Sequence, residues 1–76
     1  MRTYNSKGEL TAYANDYTLI VDGEEVITSP NLGAIRKEAK DYVKDDEYES
    51  VEIQINYEFY NEQDCYSKCY EVLKGN

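Results

Sequence analysis

The sequence predicts an α+β fold: an antiparallel β-sheet of about four strands with one helix packed on one face, in the order ββαββ. Three observations carry that expectation. Asp22-Gly23 stands between two strand-like runs, the residues from Ser50 to Tyr60 alternate apolar and polar, and apolar residues at helical spacing fill 31–44 between them.

The elements follow in order. Ser6-Lys7-Gly8 is a turn signal, so a short strand at Arg2 to Asn5 is expected to fold back on Glu9 to Ala14. From Thr11 to Val21 the chain alternates, placing Tyr13, Asn15, Tyr17, Leu19 and Val21 on one face. Asp22-Gly23 supplies a two-residue hairpin turn, because glycine accepts positive φ without a Cβ clash, and Glu24 to Thr28 returns. Ser29-Pro30 reads as an N-cap followed by proline in the first helical position. Leu32, Ile35, Ala39, Tyr42 and Val43 then form the apolar stripe of a helix, with Arg36, Lys37, Lys40 and Lys44 on the opposite side. Asp45-Asp46-Glu47 ends that helix, since negative charge is unfavourable at a C-terminus. Val51, Ile53, Ile55, Tyr57 and Phe59 form the buried row of the next strand, Asn61 to Asp64 turns the chain, and Cys65 to Leu73 returns as the last strand.

Seventy-six residues make one domain, 1–76, with a thin core. That size disfavours a deep catalytic pocket. Sixteen acids against eight bases give a net charge of −8, which argues against direct binding to nucleic acid or to an anionic membrane and favours a basic protein surface as partner. The charge is segregated. Asn31 to Lys44 carries a net +2, leaving −10 for the remainder. The chain shows no apolar run resembling a signal peptide, and Leu19-Ile20-Val21 is far too short to span a bilayer, so a cytoplasmic location is expected.

The most informative stretch is 45–64, which holds Asp45, Asp46, Glu47, Glu49, Glu52, Glu58, Glu62 and Asp64 without one Lys or Arg. Residues two apart on a strand lie ~6.7 Å apart on one face, so Glu52 and Glu58 are expected on one row about 20 Å apart, together with Gln54, Asn56 and Tyr60. Glu47 and Glu49 extend the row at one end and Glu62 and Asp64 at the other, and Asp46 joins them as a candidate partner-binding residue. A line of carboxylates suits the Arg and Lys of a groove built for a nucleic-acid backbone. The plainer reading is a sheet face kept acidic for solubility. Nine tyrosines add hot-spot chemistry. Periodicity puts Tyr13, Tyr17, Tyr42 and Tyr57 in the core and leaves Tyr48, Tyr60, Tyr66 and Tyr70 for an interface.

Other chemistry is thin. Cys65 and Cys69 on one strand would stand roughly 13 Å apart, beyond disulfide reach, and are expected as free thiols. The chain has no histidine, no nucleophile–base pairing and no glycine-rich phosphate loop. An enzyme, a metal site and a cofactor are therefore not expected. Asp45-Asp46-Glu47 lacks the glycine and spacing of a calcium loop.

A short acidic chain with two hairpins and a helix, rich in Tyr and Asn and without His or Trp, resembles the small proteins carried by bacteriophages and mobile elements, and among these the anti-CRISPR inhibitors. The resemblance covers the whole chain at the level of size, charge and plan. It implies a DNA-mimicking inhibitor in the bacterial host cell, whose acidic face occupies a basic nucleic-acid-binding surface of a CRISPR–Cas effector. The alternatives are a small assembly protein that pairs with itself through a sheet edge, as a possible homodimer, or an inhibitor of another host nucleic-acid enzyme.

Overall fold

The computed structural model describes residues 2–61 and 69–75. In chain order these form strands β1 (Arg2–Tyr4), β2 (Leu10–Val21) and β3 (Glu24–Ser29), helix α1 (Leu32–Lys44), and strands β4 (Val51–Tyr60) and β5 (Tyr70–Lys74). All pairings are antiparallel. The α+β architecture is as the sequence predicts, and the short strand expected at Arg2 to Asn5 is present as β1, paired with the start of β2.

β2 is the centre of the sheet. It pairs with β4 from Ala12↔Tyr60 to Val21↔Val51, while its other side is shared by β1 and then β3. β5 adds to the far edge of β4, from Gln54↔Tyr70 to Val51↔Lys74. Among the described residues β5 covers Tyr70–Lys74 of the strand expected over Cys65 to Leu73, and 65–68 of that expectation lie outside the described residues.

The ladder between β2 and β4 is interrupted twice. Between Ala14 and Asp16 the extra residue is Asn15 on β2. Between Tyr13 and Ala14 it is Glu58 on β4. Each bulge sets two residues of one strand against one of the other. The two offset one another, so pairing resumes at Tyr13↔Phe59 in the register it held at Asp16↔Asn56. This corrects the expected face of β2: Ala14, not Asn15, joins the core, and Asn15 is exposed. The physical reason is that an alternating ladder would bury an amide that the bulge turns out to water.

The core lies between α1 and the turn-proximal half of the sheet. Leu19, Val21, Val51 and Ile53 meet Ile35 and Ala39 of the helix, all buried, and Tyr17 and Ala14 continue the cluster. Leu32, Tyr42, Val43, Ile55 and Tyr57 pack around it at partial burial, as the periodicities predict. Tyr13 falls outside this cluster and instead stacks under Arg2, whose guanidinium carbon lies 5.3 Å from the ring centroid. The thirteen residues of α1 span ~20 Å. The molecule measures 45 × 22 × 17 Å, so the helix covers only part of the length of the sheet.

The helix start differs from the sequence expectation by two residues. Asn31 is the N-cap, its side-chain oxygen accepting from the Ala34 amide at 3.2 Å, while Ser29 ends β3 and its hydroxyl accepts from the Asn31 amide at 3.1 Å. Asparagine and serine are both good caps, and the helix begins where the chain has cleared Pro30.

Candidate protein-binding surface

The turn between β2 and β3 organises the surface. Asp22 (φ 50°) and Gly23 (φ 82°) both occupy the left-handed region, the mark of a type I′ turn. Aspartate tolerates that conformation better than most residues, and here its side chain has a second task. The Asp22 carboxylate oxygen Oδ1 accepts from the amides of Glu49 (2.9 Å) and Ser50 (2.8 Å), while the Asp22 amide donates to the Ser50 carbonyl at 2.9 Å. The β2–β3 turn is thereby fastened to the loop that joins α1 to β4.

That loop, 45–50, is held at further points. The Asp45 amide donates back to Tyr42 O, closing the helix, and Asp45 Oδ1 accepts from the Glu47 amide at 2.9 Å. Lys74 Nζ donates to the Asp45 carbonyl at 2.8 Å and sets a positive charge at the helix C-terminus, the favourable sign there. Tyr48 packs edge-on against Tyr42, ring centroids 5.1 Å apart at 66°. Burial pushes the Tyr48 phenol above its usual range, and the negative field of Asp45, then of Tyr42, Glu47 and Asp22, pushes it in the same direction. Gly75 closes the assembly: a Cβ there would stand 2.8 Å from the Glu49 carbonyl oxygen.

The result is an acidic pole at one end of the sheet. Asp22, Glu24 and Glu25 project from the hairpin and Asp45, Asp46, Glu47 and Glu49 from the facing loop, all exposed. Glu52, half-buried, follows on β4 between Ile20 of β2 and Val72 of β5. Ordered carboxylates accept hydrogen bonds only, so this end is chemically matched to guanidinium and ammonium groups.

The predicted site residues divide. Asp46, Glu47, Glu49 and Glu52 come together at the pole. Glu58 does not: it sits exposed at the β4 bulge, toward the opposite end of the strand. Tyr60 ends β4 opposite Ala12, and Glu62 and Asp64 lie outside the described residues, as does Tyr66. The middle of the expected acidic row holds the uncharged Gln54 and Asn56, which join a polar ladder with the carboxylate of Asp16. Gln54 Nε2 donates to Asn56 Oδ1 (2.7 Å), Asn56 Nδ2 donates to Asp16 Oδ1 (2.7 Å) and Thr18 Oγ1 (2.9 Å), and Thr18 and Thr28 share a 2.9 Å hydroxyl contact. These groups are turned toward one another across three strands rather than outward. Of the tyrosines set aside for an interface, Tyr70 is exposed, whereas Tyr48 is half-buried as an anchor of the loop.

Sequence reasoning missed Asp22, Glu24 and Glu25 as members of the acidic group. The signal was present: an Asp-Gly hairpin turn and the entry to β4 must meet once Val21 pairs with Val51.

No protein-family model matches the chain, and no curated protein or solved structure matches it. Among the described residues no three His, Cys, Asp or Glu side chains converge to hold a metal ion, and no helix is long and apolar enough to cross a membrane. Cys69 is exposed.

Proposed function

We propose that this chain is a non-catalytic protein inhibitor acting in the bacterial cytoplasm. Its acidic pole docks on a basic surface that another protein uses to hold nucleic acid, and a CRISPR–Cas effector is the target class that its size, charge and plan suggest. The observation that carries the reading is the Asp22 latch. It fastens together two segments, distant in sequence, that carry seven exposed carboxylates, where solubility alone asks only for charge and not for its order. Preordered charge costs little additional entropy on binding and steers a basic partner.

The test is binding of the purified protein to immobilised effectors, with and without guide and target nucleic acid, across a salt series. The expected result is binding that weakens as salt rises and that preloaded nucleic acid blocks. Charge reversal at Glu47 and Glu49 should weaken it on the order of tenfold or more, while reversal at the remote Glu9 should not. Undiminished binding by the Glu47→Lys/Glu49→Lys variant would remove the acidic pole from the interface.

A further inference from the structure

The few bases of the chain are not scattered. Arg36, Lys40 and Lys44 border a groove of about 340 Å³ between α1 and β5, and its remaining lining is Val43 and Leu73. Arg36 is committed to Glu71 of β5, through Nη2 to Oε1 at 2.8 Å and Nε to Oε2 at 3.0 Å. Lys40 and Lys44 are exposed and form no ion pair among the described residues, in a chain with twice as many acids as bases. An apolar floor between two uncommitted ammonium groups suits an acidic segment that also carries aliphatic side chains.

Such a segment stands on the opposite edge of the same sheet. β3 is an edge strand whose Glu24 and Glu25 are exposed, and beside them Val26 and Ile27 are each 37% exposed. Its charge is confined to Glu24 and Glu25 at one end, and Val26 to Ser29 carries no charged residue or proline to protect the edge from pairing. Because β3 borders β2 and the groove borders β5, two strands away, the strand cannot enter the groove of its own molecule. A second copy can supply it.

We infer that the groove between α1 and β5 receives the Glu24–Ile27 segment of a second copy edge-on, its aliphatic side chains against Val43 and Leu73 and its glutamates, which leave opposite faces of the strand, reaching Lys40 and Lys44 from the two sides. The contact joins two different surfaces, so it is head-to-tail rather than one patch meeting itself. Its exposed ion pairs and small apolar floor make it weak and salt-sensitive. Glu24 and Glu25 also belong to the acidic pole, so self-association and partner binding compete for them.

Sedimentation velocity on the whole chain over roughly a hundredfold concentration range tests the inference. The expected result is an average mass that rises with concentration at low salt and falls back to the monomer at high salt. Lys40→Glu/Lys44→Glu and Glu24→Lys/Glu25→Lys should each stay monomeric alone, because each then faces like charge with like. Mixed in equal amounts they should associate again, and so should one chain carrying all four changes. Circular dichroism confirms that each variant is folded. A wild-type chain that is monomeric at every concentration overturns the inference. So does self-association that survives either double variant, or a folded pair of variants that does not recombine. The partner-binding experiment above is scored separately, because Lys40→Glu/Lys44→Glu leaves the carboxylates of the acidic pole intact.

Discussion

Asp22 and Ser50 hold one another twice. The Ser50 amide donates to the Asp22 carboxylate at 2.8 Å, and the Asp22 amide donates to the Ser50 carbonyl at 2.9 Å. One residue sits in a hairpin turn and the other at the entry to β4, twenty-eight positions later. Asp22→Gly keeps the positive φ and removes the acceptor, so it isolates the side-chain bonds to Glu49 and Ser50. It is expected to cost about 1–2 kcal/mol, with Asp22→Asn costing less because one acceptor oxygen remains. Urea unfolding measures both. Equal stability of Asp22→Gly and wild type would mean that the latch contributes nothing.

Asn56 is the junction of the polar ladder, donating to both Asp16 and Thr18. Asn56→Ala leaves those acceptors half-satisfied on a partly buried face and is expected to cost about 1–3 kcal/mol. Asn56→Asp is more diagnostic. It puts a carboxylate where the amide stood 2.7 Å from Asp16, so this variant should lose stability relative to wild type as pH rises and both carboxylates ionise. Parallel pH–stability curves for the two proteins would contradict the ladder.

Two phenols are pushed up by the fold. Tyr17 is buried, and loss of water raises it against the opposing field of Arg36, while Tyr48 is raised by burial and then by its acidic neighbours. A group raised in the folded state contributes stability that is complete below the unfolded value of 10.0 and is lost as pH climbs through the folded value. The protein should therefore weaken above pH 10. Tyrosinate absorbance should show a late-ionising component that shrinks in Tyr17→Phe and in Tyr48→Phe. A single early phase in both variants and in wild type would exclude it.

Arg36 and Glu71 form a two-bond fork between α1 and β5. Both are substantially exposed, so their coupling is expected to be small and to fade with salt. A double-mutant cycle with Arg36→Lys and Glu71→Gln, followed by thermal melts at low and high salt, reads it. Lysine cannot reproduce the fork and should behave nearly like the glutamine variant. Coupling unchanged at high salt would show a desolvated pair instead.

Much of this architecture is legible in the residues themselves. The Asp22-Gly23 turn, the Leu32-to-Val43 stripe and the alternation from Val51 to Tyr57 are local patterns whose period matches one secondary structure, and each is found where the pattern puts it, whereas Phe59, expected in the same buried row, lies beyond the Glu58 bulge and is exposed. What was not legible depends on contacts between distant segments. Asn15 leaves the core and Ala14 enters it because of a bulge that only the facing strand defines. Tyr48 is half-buried because Tyr42 offers it a ring edge, a neighbour that counting along a presumed interface does not reveal. Among the described residues the acids gather as a cluster at one end of the sheet rather than along β4, for the same reason. Strand spacing lines up Glu52 with Glu58, but the turn that approaches Ser50 brings Glu24 and Glu25 instead.

The paired bulges also say which length changes this sheet can absorb. Asn15 and Glu58 are each one residue too many for a regular ladder, and their effects cancel before Tyr13 meets Phe59. Neither residue has a partner across the ladder: Ala14 faces Tyr57 and Tyr13 faces Phe59 with Asn15 and Glu58 left out of the pairing. Removing either one takes away its own bulge and keeps the pairs on both sides of it, so these are the two positions at which β2 and β4 lose a residue without a slip of register.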